Sequence, residues 1–143
     1  MERGQISKIG KFFPLNNYRP ITEIQTESID LITCHIGLHH CPHELLEGYI
    51  KSIHRILRKG GQFIMRDHDV KTAEMSTFVS LVHTVFNLGL NVTWETDHSE
   101  FKSFKSIDEW SNIITSYGFK DSGERILQHK DPSDNTLVSF IKL

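Results

Sequence analysis

Hydrophobic and polar positions follow several distinct rhythms along the chain. Over residues 29–34, IDLITC, there is no alternation, which predicts a parallel strand covered by helices on both faces. Leu46, Tyr49, Ile50, Ile53, Ile56 and Leu57 then recur at helical spacing, while Glu47, Lys51, Ser52, Arg55 and Lys59 fall on other faces. Pro42 suits the start of this helix, and Lys59-Gly60-Gly61 predicts its end, because glycine tolerates the left-handed conformation that closes many helices. Gln62-Phe63-Ile64-Met65 reads as a second strand that turns polar at Arg66-Asp67-His68-Asp69. Strand, helix and strand in this order imply a right-handed crossover between parallel strands.

Beyond Asp69 the pattern predicts a helix over 73–88, whose stripe of Met75, Phe78, Val79, Val82, Val85 and Phe86 faces the core and whose stop is Gly89. Its other face, with Ser76, Ser80, Thr84 and Asn87, lacks the cationic band of a membrane-surface helix. Ser106-Ile107-Asp108-Glu109 has the spacing of a capping box and announces a last helix with Trp110, Ile113, Ile114 and Tyr117 on its buried side. Apolar segments at 125–127 and 136–141, separated by the turn-rich 130–135, predict an antiparallel hairpin. Upstream, residues 1–28 read as a connector or edge strand: a short strand over 6–13, a loop from Pro14 to Pro20, then a turn or short helix over 21–27. Phe12 and Phe13 are expected to pack into the core.

A length of 143 residues suits one domain with a real core. With 38% hydrophobic and 24% charged residues and a net charge of −2, neither disorder nor a nucleic-acid-binding surface is indicated. No apolar run approaches the roughly 20 residues that span a bilayer, and MERGQISKIGKFF lacks the apolar core of a signal peptide, so a cytoplasmic protein is expected. Two cysteines, Cys34 and Cys41, are too few for a disulfide framework and agree with a reducing compartment.

The combination of IDLITC, LHH at Leu38-His39-His40, ILRKGG at 56–61 and an apolar strand ending in Asp67 resembles the C-terminal half of a class I S-adenosylmethionine-dependent methyltransferase of the type 11 kind. Lys59 stands where that family commonly has proline. The resemblance implies an α/β fold, a partial Rossmann-like sheet with helices on both faces, closed by a C-terminal antiparallel hairpin. Residues 29–143 would form the C-terminal part of the domain. The family's opening half carries a glycine-rich turn and an acidic residue that hold the cofactor, and neither precedes Ile29, where only Gly4 and Gly10 occur. The chain is therefore expected to lack that half. Its first motif strand would then present an unpaired apolar edge, to be covered by the residues before Asn16, by a second copy in a homodimer, or by a partner chain.

In an open parallel sheet the ligand sits beyond the carboxyl ends of the strands. By resemblance, Cys34, His35, Ile36 and His39 would lie near the S-adenosylmethionine cofactor. His40, Arg66 and Trp94 would contact a small-molecule or other methyl acceptor, and the polar stretch 91–103 would form a lid over it. His68 is the expected general base, since an imidazole near its unperturbed pKa can take a proton at neutral pH, and Asp67 is its catalytic neighbour. Cys34, His35, His39, His40, Cys41 and His43 crowd within ten positions. They lack the paired spacing of a zinc site, so no metal is expected. Three functions stay open: a methyltransferase acting on an undetermined acceptor, a non-catalytic remnant or subunit pairing through its sheet edge, and a small zinc-binding domain.

Overall fold

The computed structural model describes residues 10–143. Half of the expected edge strand over 6–13 lies outside them, and residues 11–15 have no regular structure. A 3-10 turn at Asn16–Tyr18 follows, then bends and turns, with no helix over 21–27. Phe12 is 73% exposed, so it does not enter the core as expected.

The ordered elements are β1 (Ile29–His35), α1 (His43–Ile56), β2 (Leu57–His68), α2 (Ala73–Gly89), α3 (Trp94–Ser99), α4 (Ile107–Thr115), β3 (Phe119–Asp121), β4 (Ile126–Leu127) and β5 (Asn135–Lys142). They form an α/β domain around an open five-stranded sheet of order β1-β2-β5-β3, with β4 also paired to β5. β1 and β2 are parallel, whereas β5 runs antiparallel to β2, β3 and β4. The C-terminal hairpin is present as expected; β3, which forms next to the end of α4, was not anticipated.

The α1 helix ends earlier than the glycines suggested. Leu57 is already extended, fully buried, and paired with Ile29. Its carbonyl accepts a 2.8 Å hydrogen bond from Lys142 Nζ. Burial of Leu57 therefore pulls the chain into the sheet three residues before Gly60. The glycines instead serve an irregularity in β2, where the partners of β1 jump from Leu57 to Gln62 and Gly60 takes φ +76°. A side chain on Gly61 would stand 2.9 Å from the Arg58 carbonyl, so glycine is required there for a close backbone approach.

Period-two alternation sorts the sheet into unequal faces. On one, Phe63, Met65, Val138, Phe140 and Phe119 are buried against Ile50 and Ile53 of α1 and Trp110 and Ile114 of α4. On the other lie Leu31, Thr33 and His35 of β1, Gln62, Ile64 and Arg66 of β2, and Leu137, Ser139 and Ile141 of β5, none of them buried. The expected covering of β1 is thus one-sided, and Leu31 is 51% exposed. β1 also has no partner on its outer edge among the described residues.

Ser106 caps α4 as predicted, with Glu109 returning the hydrogen bond to the Ser106 amide. The α2 helix departs from expectation. Thr72 caps it and it spans the predicted residues, yet only Val79 and His83 are buried. Phe78, Leu81, Val85, Phe86 and Leu88 are exposed, so most of its apolar surface meets solvent. No helix among the described residues is long and apolar enough to cross a membrane.

Candidate active site at the strand ends

β1 ends at His35, and the chain reverses through Ile36, which takes a left-handed φ of +51°, into a 3-10 turn at Leu38–His40. The turn is pinned from three sides. Ile36 donates its amide to the Arg66 carbonyl at 2.7 Å, Tyr18 donates its hydroxyl to the Gly37 carbonyl at 2.6 Å, and the Ser103 amide donates to the His39 carbonyl at 2.7 Å. Leu38 and His39 are fully buried as a result, while His40 is only half-buried.

At the same end of the sheet, β2 delivers Arg66, Asp67 and His68. The alternation of the strand turns Asp67 inward beneath His39 and leaves Arg66 on the opposite face. His39 Nδ1 and Asp67 Oδ1 are 2.7 Å apart, with both side chains essentially excluded from solvent. Asp67 Oδ1 also accepts from the His68 amide at 2.9 Å. Above them stands His83 of α2, whose Nε2 lies 3.1 Å from His68 Nε2. The rings of His39, His40, His68 and His83 therefore form one cluster, with His39 packed 4.1 Å from His40 and 4.8 Å from His83, centroid to centroid.

A cavity of about 590 Å³ opens beside this cluster. This is within the size of pockets that hold small ligands. His35, Ile36, His40, Arg66, His68 and His83 are among the residues that line it, with Val82 and Phe86 of α2 on one wall. Burial holds three of the imidazoles uncharged at neutral pH. It pushes His83 down to about 3, helped by the neighbouring His39, His68 and His40 rings. It also lowers His40, with His39 adding to the effect, and lowers His68.

Of the residues singled out in the sequence, His35, Ile36, His40, Arg66 and His68 thus meet at one cavity. His39 and Asp67 support it from behind and do not line it. Cys34 faces the core side, and burial, with Asp67 nearby, pushes its thiol up to about 12, which makes it a poor nucleophile. Trp94 is placed elsewhere. It is 55% exposed on α3, stacks on His98, and is not among the residues lining the cavity. His83 was missed by sequence reasoning, although a histidine one position past Val82 and four past Val79 falls within the buried stripe of α2.

A sheet in which an antiparallel strand is inserted beside parallel ones, with ligand-facing loops at their carboxyl ends, defines the class I methyltransferase fold. The comparisons agree. Residues 15–65 match a family model described as a methyltransferase domain. No curated protein matches the sequence. Among solved structures, a SAM-dependent methyltransferase from Methanosarcina mazei aligns with a TM-score of 0.60 at 13% identity, over 87% of this chain and 64% of that one. A SAM-dependent methyltransferase from Thermotoga maritima aligns with a TM-score of 0.57 at 16% identity, over 87% of this chain and 61% of that one. A third is the 1,6-didemethyltoxoflavin-N1-methyltransferase of Burkholderia thailandensis, solved with bound 1,6-didemethyltoxoflavin and S-adenosylhomocysteine, with a TM-score of 0.56 at 14% identity. It is covered over 45% of its length, by 82% of this chain. The chain thus spans under two thirds of the length of these three relatives.

Proposed function

We propose that this domain takes part in methyl transfer from S-adenosylmethionine to a small-molecule acceptor, and that the cavity at the ends of β1 and β2 is the acceptor's side of the site. The observation that carries the proposal is the convergence of His35, His40, Arg66 and His68 on one cavity of ligand size, at the strand ends where an open parallel sheet binds its ligands.

The residues present fit the cofactor in part. The left-handed turn at Ile36 would offer backbone and the edge of His35 to its methionine end. The cradle for the rest is not built by the described residues: before β1 they contain no strand and only one glycine, Gly10. The bare sheet face of Leu31, Ile64, Leu137 and Ile141, and the open edge of β1, are where a further layer would dock, from a second copy or a partner chain.

When bound, S-adenosylmethionine supplies an already activated methyl group, so the protein's task is alignment and exclusion of water. Arg66, held by its Nη1 donating to Gln128 Oε1 at 2.8 Å, orients an acceptor oxygen or a negative group. His68 takes a proton from acceptors that must lose one when the contact of its Nε2 with His83 Nε2 opens, because it is uncharged at neutral pH and borders the cavity. Val82 and Phe86 keep that wall apolar.

A second reading is a non-catalytic subunit that pairs through β1, and the exposed edge and face favour it. Calorimetric titration of the 143-residue chain with S-adenosylmethionine and S-adenosylhomocysteine, with molar mass measured by light scattering in the same buffer, separates the two. Micromolar binding supports the cofactor site, and binding confined to a dimer places the cradle across two copies. A folded monomer that binds neither compound at millimolar concentration overturns autonomous catalysis and favours the subunit.

A further inference from the structure

The imidazole cluster is more than a wall of the cavity, because its hydrogen bonds fix where the protons are. His39 Nδ1 meets a carboxyl oxygen of Asp67, so it is the donor there, and a neutral His39 has its lone pair at Nε2. That Nε2 is fully buried and has no hydrogen-bond partner. His40 Nδ1 faces the Phe101 carbonyl at 3.2 Å and Glu100 Oε1 at 3.4 Å, both acceptors, so His40 Nε2 is bare as well. His68 Nδ1 faces the Ser133 carbonyl at 3.4 Å. His68 Nε2 is then the acceptor in the 3.1 Å contact with His83, which leaves His83 one bare nitrogen of its own. One ring nitrogen from each of His39, His40 and His83 lies within 4.8 Å of the other two. Three ring nitrogens this close together, with the buried His39 Nε2 left unpartnered, are placed to share a cation.

We propose that His39, His40 and His83 form a binding site for a divalent transition-metal ion, with zinc as the reference ion. Three imidazoles are a ligand set that zinc accepts, and three protein ligands leave a fourth tetrahedral position open. Asp67 and His39 make the carboxylate–histidine arrangement that orients a metal-bound imidazole, and the Phe101 carbonyl does the same for His40. His68 positions His83. The grouping differs from the crowded loop suggested by the sequence. Of that loop it keeps only His39 and His40, and its third member comes from α2. Because His40 and His83 line the cavity, the open position faces it, where the ion would lower the pKa of a bound water, hydroxyl or thiol.

The test uses the full chain without an affinity tag, stripped with chelator, titrated with zinc chloride by calorimetry and with cobalt(II) by visible absorption. The expected result is one ion per chain and the intense absorption of tetrahedral cobalt. His40→Gln and His83→Gln each weaken zinc at least tenfold with an unchanged circular dichroism spectrum, while His43→Gln, at an exposed histidine that opens α1, binds as the parent does. Asp67→Asn, acting through His39, weakens zinc by about 10- to 100-fold if it folds. Substoichiometric binding, octahedral cobalt spectra, or full affinity in both His40→Gln and His83→Gln would overturn the site. None of these readouts needs S-adenosylmethionine, so the metal site and the methyl-transfer proposal fail separately.

Discussion

Truncating Asp67 puts a number on the buried hydrogen bonds behind the cavity. Asp67 Oδ1 accepts from His39 Nδ1 at 2.7 Å and from the His68 amide at 2.9 Å. Both residues are buried, so Asp67→Ala leaves two donors facing no protein acceptor. An unsatisfied buried donor costs about 1–3 kcal/mol, so the pair predicts a loss of roughly 2–6 kcal/mol. That is a large share of the about 5–15 kcal/mol that holds a typical domain together. Asp67→Asn keeps an acceptor at Oδ1 but sets an amide nitrogen at the position of Oδ2, which is buried and has no partner. One orphaned atom replaces another there, while the two donors at Oδ1 exchange a charged acceptor for a neutral one, which predicts a smaller loss, about 1–3 kcal/mol. Urea unfolding followed by tryptophan fluorescence reads both, since Trp110 is buried and will be exposed. With a urea slope of about 2 kcal/mol per molar, the alanine midpoint should fall by about 1–3 M. The asparagine midpoint should lie between alanine and parent. An alanine midpoint equal to that of the parent, or an asparagine variant less stable than alanine, would refute the hydrogen-bond accounting.

Other outcomes follow from individual contacts. Gly118 sits at φ +89° with its missing side chain only 2.9 Å from His54 Nε2, so Gly118→Ala should lower stability by about 1–3 kcal/mol, and His54→Ala in the same chain should recover the steric share but not the backbone share. Asp121 is held well below the ordinary carboxyl range, first by hydrogen bonds from Arg125 and then by Ser111, so its folded pKa is depressed. The stabilisation is complete above its unfolded value of about 3.9 and is lost as pH falls through the lower folded value; the stability gap between the parent and Asp121→Asn should be flat at neutral pH and close below about pH 4. A gap that persists unchanged to the acid transition would refute this. Replacing the exposed Leu81 and Val85 by lysine should leave the urea midpoint within about 0.5 kcal/mol of the parent's stability while reducing binding of a hydrophobic dye; a collapse in stability would mean that α2 is packed on that side.

Much of the frame was legible because local and global signals agreed. The buried positions of α1, the capping box at Ser106 and the hairpin closing on β5 each follow from a spacing that only one element satisfies. The end of α1 was not legible, because Leu57 is drawn into the sheet before the glycines by its pairing with Ile29, about thirty residues away in sequence. The apolar stripe of α2 was visible, but periodicity reports which side chains share a face and says nothing of whether a neighbour covers them. For the site, the strand ends named five residues that meet at the cavity. His83 escaped because its meaning comes from His39 and His68, brought to it by the fold across 44 and 15 positions of chain. Trp94 was chosen as an aromatic within a polar stretch, a signal that exposure satisfies as well as ligand contact does.

The place of β5 in the sheet has a consequence for synthesis. β1, α1 and β2 can join as soon as residues 29–68 leave the ribosome, because their pairing needs nothing further along. β3 and β4 have no strand to pair with until β5 arrives, and β2 keeps one side open. Lys142 then reaches back across 115 positions to Glu27 and across 85 to the Leu57 carbonyl. At about 5–20 residues per second, the nascent chain carries the unpaired flank of Phe63 and Met65 for several seconds before β5 can seal it. A ribosome-bound chain halted before residue 135 should therefore be the form that chaperones hold and proteases cut.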